Sequence, residues 1–381
     1  MSMLRRARGS ESVQYLWKSP RAATGFSTAV SLHSHTLHSK ESLDFIPRAL
    51  GKVAPARAIL HAFEDWHRRS YGRAIPFDRL FWRPPLHPRA AYELEARQIR
   101  ETLGLDPLVS LTDHDNLDAC VELRALNIPV PFSHEWTVPY ENTVFHIGVH
   151  NLAADDAFPL FEEMESVTRQ RTPEKLGPVL AALHSCPGVL VVLNHPLNNE
   201  LKTGFREHAR LLRRFLAEHA AHLHALELNG LQPAGHNRRV AQIAAALNLP
   251  VISGGDRHCT EPNANVNLTN AASFAEFVEE IRRERLSRVL FLPQYRESIP
   301  CRYLEFISQA LAIYPEFAGR ERWLDRIFKQ TDEGELPVSS FCPRRAHWPL
   351  GAFVSAIGFI ASPRIRATLR FALRTQPEAG A

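Results

Sequence analysis

Between Ala29 and Glu41 the chain reads AVSLHSHTLHSKE: a short apolar run, then His33 and His35 two positions apart. Side chains at i and i+2 of a strand point the same way, so both imidazoles can reach one ion where the strand ends. A lone His-x-His is as often two ordinary histidines. The pattern repeats, however: later apolar runs end in Asp113-His114, His134-Glu135, His146, His195 and Asp256-x-His258. Imidazoles and carboxylates are the donors that hard and borderline divalent cations take. A carboxylate has two oxygens and can span two ions, whereas an imidazole gives one nitrogen to one ion. Two adjacent ions can ionise a water and clamp a phosphoryl group, so the residue types point to metal-dependent hydrolysis.

The elements that would position these residues alternate. Strands are expected at Thr28–Leu32, Leu108–Leu111, Ile128–Ser133, Thr143–Val149, Val189–Leu193, Ala225–Leu228, Pro250–Ser253 and Val289–Leu292. The run VLVVL lacks polar alternation and reads as a strand covered on both faces. Helical patterns cover 54–70, 89–103, Val121–Leu126, 158–184, 206–220, 237–247 and 270–285, the last capped by Ser273. Val240, Ile243 and Leu247 form one stripe in the alanine-rich helix. Alternating strands and helices imply a parallel sheet under helices. Donors at the ends of many strands favour a closed barrel, because an open sheet gathers its site at one crossover.

Length, charge and cysteines bound the rest. A chain of 381 residues accommodates one large α/β domain with appendages. With 45 basic and 41 acidic residues the net charge is +4, too little bias to argue for nucleic acid. The five cysteines include no Cys-x-x-Cys, so neither a disulfide framework nor a thiolate zinc site is expected. MSMLRRARGS is basic without the apolar core of a secretion signal, and no run reaches transmembrane length, so the expected location is cytoplasmic. Residues 1–25 read as a tail or strap. Beyond 300, Tyr303–Tyr314 and 320–329 look helical and 333–347 loop-like. The stretch FVSAIGFIASPRIRATLRFALR reads as helices packed on the flank, with Phe359 and Ile360 beside Arg364, Arg366 and Arg370 open to an oligomer contact or membrane-surface docking.

Taken together, HSHTLHS (33–39), TDHD (112–115), HE (134–135), FHIG (145–148), NHP (194–196) and GGDRH (254–258) resemble, in order and strand context, the motifs of the PHP (polymerase and histidinol phosphatase) superfamily of phosphoesterases. The resemblance spans roughly 26–295. It implies a distorted seven-stranded (β/α)7 barrel over 26–299, to which this chain adds a helical insertion at about 50–104 after the first strand and a C-terminal helical extension over 300–381. It implies two or three divalent ions, Zn, Mn or Fe. Carried over motif by motif, His33, His35, Glu135 and Asp256 would hold the first ion. Glu135 would bridge to a second held by His146 and His195, and His114 and His258 would serve a third. Where the family usually has Asp or His after the first histidines, this chain has Ser39-Lys40-Glu41. Either Glu41 completes the third set or Lys40 places a cation where that ion would sit. LELNG resembles the family's Glu-containing strand, with Glu227 read as a supporting or structural residue.

Glu135, Asp256 and His195 are thus the expected carriers of catalysis. Arg257 is a candidate phosphate contact whose alternative is a side chain turned away from the flanking ligands; Arg206 and Lys202 are further candidates. His134 should point away from Glu135 by strand alternation. His38 and His150 read as loop hydrogen bonders, Asp113 and Asp115 as orienting or capping groups, and Cys259 as an inert buried thiol. The long connection between Thr36 and Thr112, with Arg68, Arg69 and Arg73, reads as a lid or a packed insertion. The expected activity is metal-dependent hydrolysis of a small phosphorylated substrate. A nucleotide phosphatase or exonuclease is the alternative, disfavoured because aromatic and basic residues do not interleave on the site-bearing loops. A non-catalytic metal-binding barrel is the third reading.

Overall fold

A computed structural model describes residues 12–43, 47, 50, 51, 54–72, 80–171, 173–341, 344–362, 364, 365 and 368. Expectations placed on Arg73, Arg366 and Arg370, and on the first eleven residues, lie outside them. The described residues fall into two compact units. The first runs to His38 and adds His87–Arg257 and Pro262–Tyr295; the second comprises Ser39–Leu86, His258–Glu261 and the chain from Arg296.

Among the described residues the first unit carries ten strands and seven α-helices. In order they are β1 (Val13–Tyr15), β2 (Thr28–Ser31), α1 (Pro88–Leu103), β3 (Asp106–Val109), α2 (Asp118–Ala125), β4 (Phe132–Tyr140) and β5 (Thr143–Leu152). Then follow α3 (Ala154–Gln170), α4 (Pro173–Ser185), β6 (Leu190–Asn194), α5 (Phe205–His219), β7 (Ala225–Asn229) and α6 (Ala234–Ala246). The unit ends with β8 (Val251–Gly254), β9 (Asn265–Thr269), α7 (Phe274–Glu279) and β10 (Val289–Phe291). One sheet has the order β1-β10-β9-β2-β3, the other β8-β7-β6-β5-β4. The second sheet is parallel through β8, β7 and β6, and turns antiparallel at β5 and β4. In the first, β9 runs antiparallel to both β10 and β2, while β2 pairs in parallel with β3.

Local chemistry explains the elements. Pro88 opens α1, where a missing N–H costs nothing, and Gly104 closes it at φ 68° with its N–H on the Arg100 carbonyl. Ser273 accepts the Glu276 N–H at the start of α7. The segment 158–184 is two helices, not one, because Arg171 takes a left-handed φ of 49° and Pro173 starts anew. Val30, Leu32, Leu190, Val192, Ala225 and Ile252 pack under Phe274, Phe277, Val278 and Ile281 as one buried cluster. Ala29, Ile99, Val266, Leu268, Leu290 and Leu292 form another.

The closed seven-stranded barrel expected from the sequence is not what forms. The described residues make three separate sheets, two of mixed direction in the first unit and a four-stranded antiparallel one in the second. Closure needs continuous ladders at both seams. Between the two sheets of the first unit there are instead single parallel bridges, Ser34 with Arg257 and His114 with Glu135. A few bonds reinforce them, including Asp256 N–H to His33 O at 2.8 Å and Asp115 N–H to Glu135 O at 3.0 Å.

In the second unit, Glu41–Ser42, Leu80–Trp82, Ile327–Thr331 and Gly334–Pro337 form an antiparallel sheet. Residues read as helix (320–329) and loop (333–347) thus include a hairpin, with Gly334 at φ 126° opening its second strand. Leu43, Trp82, Cys259, Ala310 and Ile327 pack together there, and a second cluster joins Leu50, Ala56 and Leu60 to Leu304, Ile307 and Ile357. No helix among the described residues is long and apolar enough to cross a membrane.

Candidate metal centre

Within the first unit, β2, β3, β6 and β8 run out at one place, and the residues that follow them turn inward. His33 (φ 65°), Asp256 (φ 57°) and His195 (φ 25°) all take left-handed backbone conformations. Such angles cost a non-glycine residue of order 1 kcal/mol or more and persist only where the surroundings impose them. His33 is therefore not a strand residue in register with His35. The chain bends after Ser31, and both imidazoles reach the same point by that bend.

Glu135 sits at the focus. Its Oε2 lies 3.1 Å from His33 Nε2, 3.5 Å from His35 Nε2 and 3.3 Å from His114 Nε2. Its Oε1 lies 3.1 Å from His195 Nε2 and 3.5 Å from His146 Nδ1. Asp256 Oδ1 stands 3.6 Å from His33 Nε2 and 3.4 Å from His35 Nε2. Several of these separations are too long for good hydrogen bonds. They suit donors on a common ion, which at bond lengths near 2.1 Å stand about 3.0–3.5 Å apart.

The surroundings fix which atoms face inward. Glu227 Oε2 is 2.5 Å from His33 Nδ1, so that nitrogen keeps a proton and Nε2 is the nitrogen that faces the cluster and would take a metal ion in place of its own proton. His33 Nε2 and Glu135 Oε2 are buried, face each other, and make no hydrogen bond among the described residues. A ring nitrogen and a carboxylate oxygen so disposed fit a cation between them, whether a proton or a metal ion. Asn194 Nδ2 donates to Glu135 Oε1 at 2.9 Å, and Asn229 Nδ2 donates to Asp256 Oδ2 at 3.1 Å and Glu227 Oε1 at 2.7 Å. Asp113 accepts from the Thr36 N–H at 2.5 Å and the Thr36 hydroxyl at 2.7 Å, holding the segment that carries His35.

Electrostatics follow from burial of so many charges together. Burial pushes the His33 imidazole down, but Glu135, Glu227 and Asp256 outweigh it and raise its pKa well above the ordinary value. Burial likewise opposes His195, and its hydrogen bond and charge contact with Glu135 raise it to about 9. Burial would raise Glu135, yet His33, His114 and His146 hold it well below the usual carboxylate range. Burial lowers His146, keeping that ring neutral as a donor. Any bound cation would thus displace protons from His33 and His195.

Four overlapping donor groups arise in this unit: His33, His35 and Asp256; His33, Glu135 and His195; His114, Glu135 and His146; and His146, His195 and Glu200. Glu41 and His258 belong to the second unit, 3.1 Å apart, with Ser39 Oγ donating to Glu41 at 2.5 Å. Lys40 pairs with Glu335 at 2.6 Å. Arg257 is buried, and its Nε donates to Glu95 Oε1 at 2.7 Å. Lys202 and Arg206 are exposed. Arg68 lies 4.0 Å from Asp65, and Arg69 Nε donates to the Asp65 carbonyl.

The neighbours of the cluster have separate employment. His134 turns to the opposite face from Glu135, edge-on to Phe161 at 5.2 Å, and burial depresses it to about 3. His150 meets the Ser110 hydroxyl at 2.9 Å, and His38 stands 3.2 Å from Glu122. Asp115 accepts the Thr137 N–H at 2.8 Å. Cys259 is buried in the second unit, with Sγ 3.8 Å from the Phe306 carbonyl. Glu200, Asn194 and the Glu95 partner of Arg257 were not singled out by sequence reasoning. Glu200 and Glu95 sit in no strand-end pattern, and Asn194 is eclipsed by the histidine beside it.

No protein-family model matches the chain, and no curated protein matches it significantly. Among solved structures, a protein provisionally described as a metal-dependent phosphoesterase from Bifidobacterium adolescentis ATCC 15703 is similar at 17% identity. That match covers 52% of this chain and 92% of the other, with a TM-score of 0.32. An amidohydrolase from Chromobacterium violaceum, with bound sulfate and no metal, is 18% identical over 46% of this chain and 83% of its own, with a TM-score of 0.33. Likenesses this slight assign neither fold nor activity, so the functional reading rests on the buried donor cluster and on the motifs.

Proposed function

We propose that the protein is a metal-dependent phosphoesterase acting on a small phosphorylated substrate through the cluster of the first unit, with two divalent ions. The observation that carries this is Glu135: one buried carboxylate with three imidazoles around one oxygen and two around the other. His33, His35 and Asp256 would hold one ion, His146 and His195 the other, and Glu135 would span them. Ions bound there would acidify a water and withdraw charge from phosphoryl oxygens. The chain's own contribution is orientation. Glu227 sets the His33 tautomer, Asn194 and Asn229 aim the two carboxylates, and burial keeps solvent from competing for the donors. The ordered motifs favour phosphate esters over other hydrolysable groups, and mixed imidazole–carboxylate donors suit Zn, Mn or Fe.

The test is metal content with turnover. Purified protein reconstituted with Mn, Zn or Fe should hydrolyse a generic phosphate mono- or diester, and Glu135→Gln should lose both turnover and bound metal while staying folded. Full metal occupancy without turnover across a broad phosphoester panel would overturn the enzymatic reading and leave the binding one.

A further inference from the structure

We infer that Glu200 is a metal ligand, completing with His146 and His195 the donor set of the second ion. The inference rests on the two-ion reading above and adds a residue that no sequence motif marks. Glu200 lies on the loop between β6 and α5, five residues beyond His195 in sequence. That loop is folded back by its own bonds: Asn198 N–H to the His195 carbonyl at 2.8 Å, and Thr203 N–H to Asn199 Oδ1 at 3.1 Å. Asn198 Nδ2 donates to Glu200 Oε1 at 3.0 Å. Glu200 Oε2 stands 3.5 Å from His146 Nε2.

Three features make this more than an acidic residue near a histidine. One donor atom from each of His146, His195 and Glu200 lies within 4.8 Å of the others, so the three are gathered where one ion could be held. The separation of 3.5 Å is long for a charge-assisted hydrogen bond and close to the edge of a coordination polyhedron, about 3.4 Å for donors near 2.1 Å from the ion. Finally, His146 is 6% exposed and lies between two carboxylates, with Nδ1 3.5 Å from Glu135 Oε1 and Nε2 3.5 Å from Glu200 Oε2. A carboxylate on a loop would also tie the order of residues 195–203 to occupancy of the ion.

Titration of metal-free full-length protein with Co(II), followed by visible absorption and calorimetry, tests the assignment. Wild type should bind two equivalents. In Glu200→Gln the second should weaken by about tenfold or more and its ligand-field bands should shift, with Glu200→Asp intermediate. Melting of the metal-free variants should match wild type. Weaker binding with unchanged bands would make Glu200 a residue that only positions His146 and would overturn the assignment, as would titrations that superimpose. Failure of wild type itself to bind Co(II) would bring down the two-ion reading as well, so the two failures are distinguishable.

Discussion

The inward-facing nitrogen of His33 depends on Glu227, and Glu227 depends on the absence of a side chain at Gly254. A Cβ there would overlap the Glu227 carboxylate, and one at Gly255 would overlap the Asn263 amide. The two glycines of the GGDRH motif are thus a matter of space: they let buried polar groups lie against the backbone beside Asp256. Gly254→Ala is expected to cost about 1–3 kcal/mol through overpacking. It should also weaken metal binding by about 10–100-fold as Glu227 is pushed off His33. Denaturant melts and metal titration measure the two effects separately, and a variant with native affinity would show that Glu227 is dispensable for orienting the ring. The donor residues themselves were visible in the sequence because imidazole and carboxylate recur after apolar runs. Their left-handed backbone angles were not, because histidine and aspartate, though enriched at positive φ, adopt it too rarely to mark a position. Glu200 was hidden for a different reason: its role comes from a loop fold and not from the end of a strand.

Strand β9 shows where element reading stops. Its sequence NVNLT alternates, but the face expected to be wet is buried: Asn265 and Asn267 are both fully enclosed. Asn267 Oδ1 accepts the Ser253 N–H at 2.7 Å and its Nδ2 donates to Ser287 at 2.8 Å, while Asn265 Nδ2 donates to the Leu228 carbonyl at 2.6 Å. Side-chain amides here satisfy backbone groups that a continuous ladder would otherwise pair. A buried strand with a polar inner face resembles a loop in sequence, whereas VLVVL of β6 does not. Asn267→Leu removes the Ser253 partner and is expected to destabilise the fold by about 1–3 kcal/mol, the cost of stranding a buried donor. Chemical denaturation would detect it, and an unchanged midpoint would mean that the Ser253 N–H finds another acceptor. Local signals succeeded where they were strong, as at the Ser273 cap of α7.

Across the molecule, buried neutral histidines set the acid limit. His224 accepts the Val191 N–H at 2.9 Å through Nδ1, and burial, with Arg282 and His184 nearby, depresses it to about 3. His150, buried beside Ser110, is likewise lowered to about 3. Both take up protons more readily unfolded, where imidazole titrates near 6.5. Their stabilising contribution is therefore complete above about pH 6.5 and is lost as pH falls from there toward 3. Metal-free protein should accordingly melt at progressively lower temperature below pH 6.5, and His224→Gln, which keeps an acceptor for Val191, should flatten that decline. A variant profile as steep as wild type would assign acid sensitivity to other groups. At this scale the alternation of strands and helices was readable, but the way the sheets end against each other was not. Motif order describes a path along the chain; whether two edges join by a full ladder or a single bridge depends on tertiary contacts, some between residues as far apart as Ser34 and Arg257.

Those single bridges have one more implication. Ser34–Arg257 and His114–Glu135 stitch one sheet of the first unit to the other, and their residues include or adjoin the donors around Glu135. An ion seated among those donors would act as a clasp on a sparsely sewn seam. Starving the protein of metal would then slacken its architecture at the same edge where it removes the chemistry.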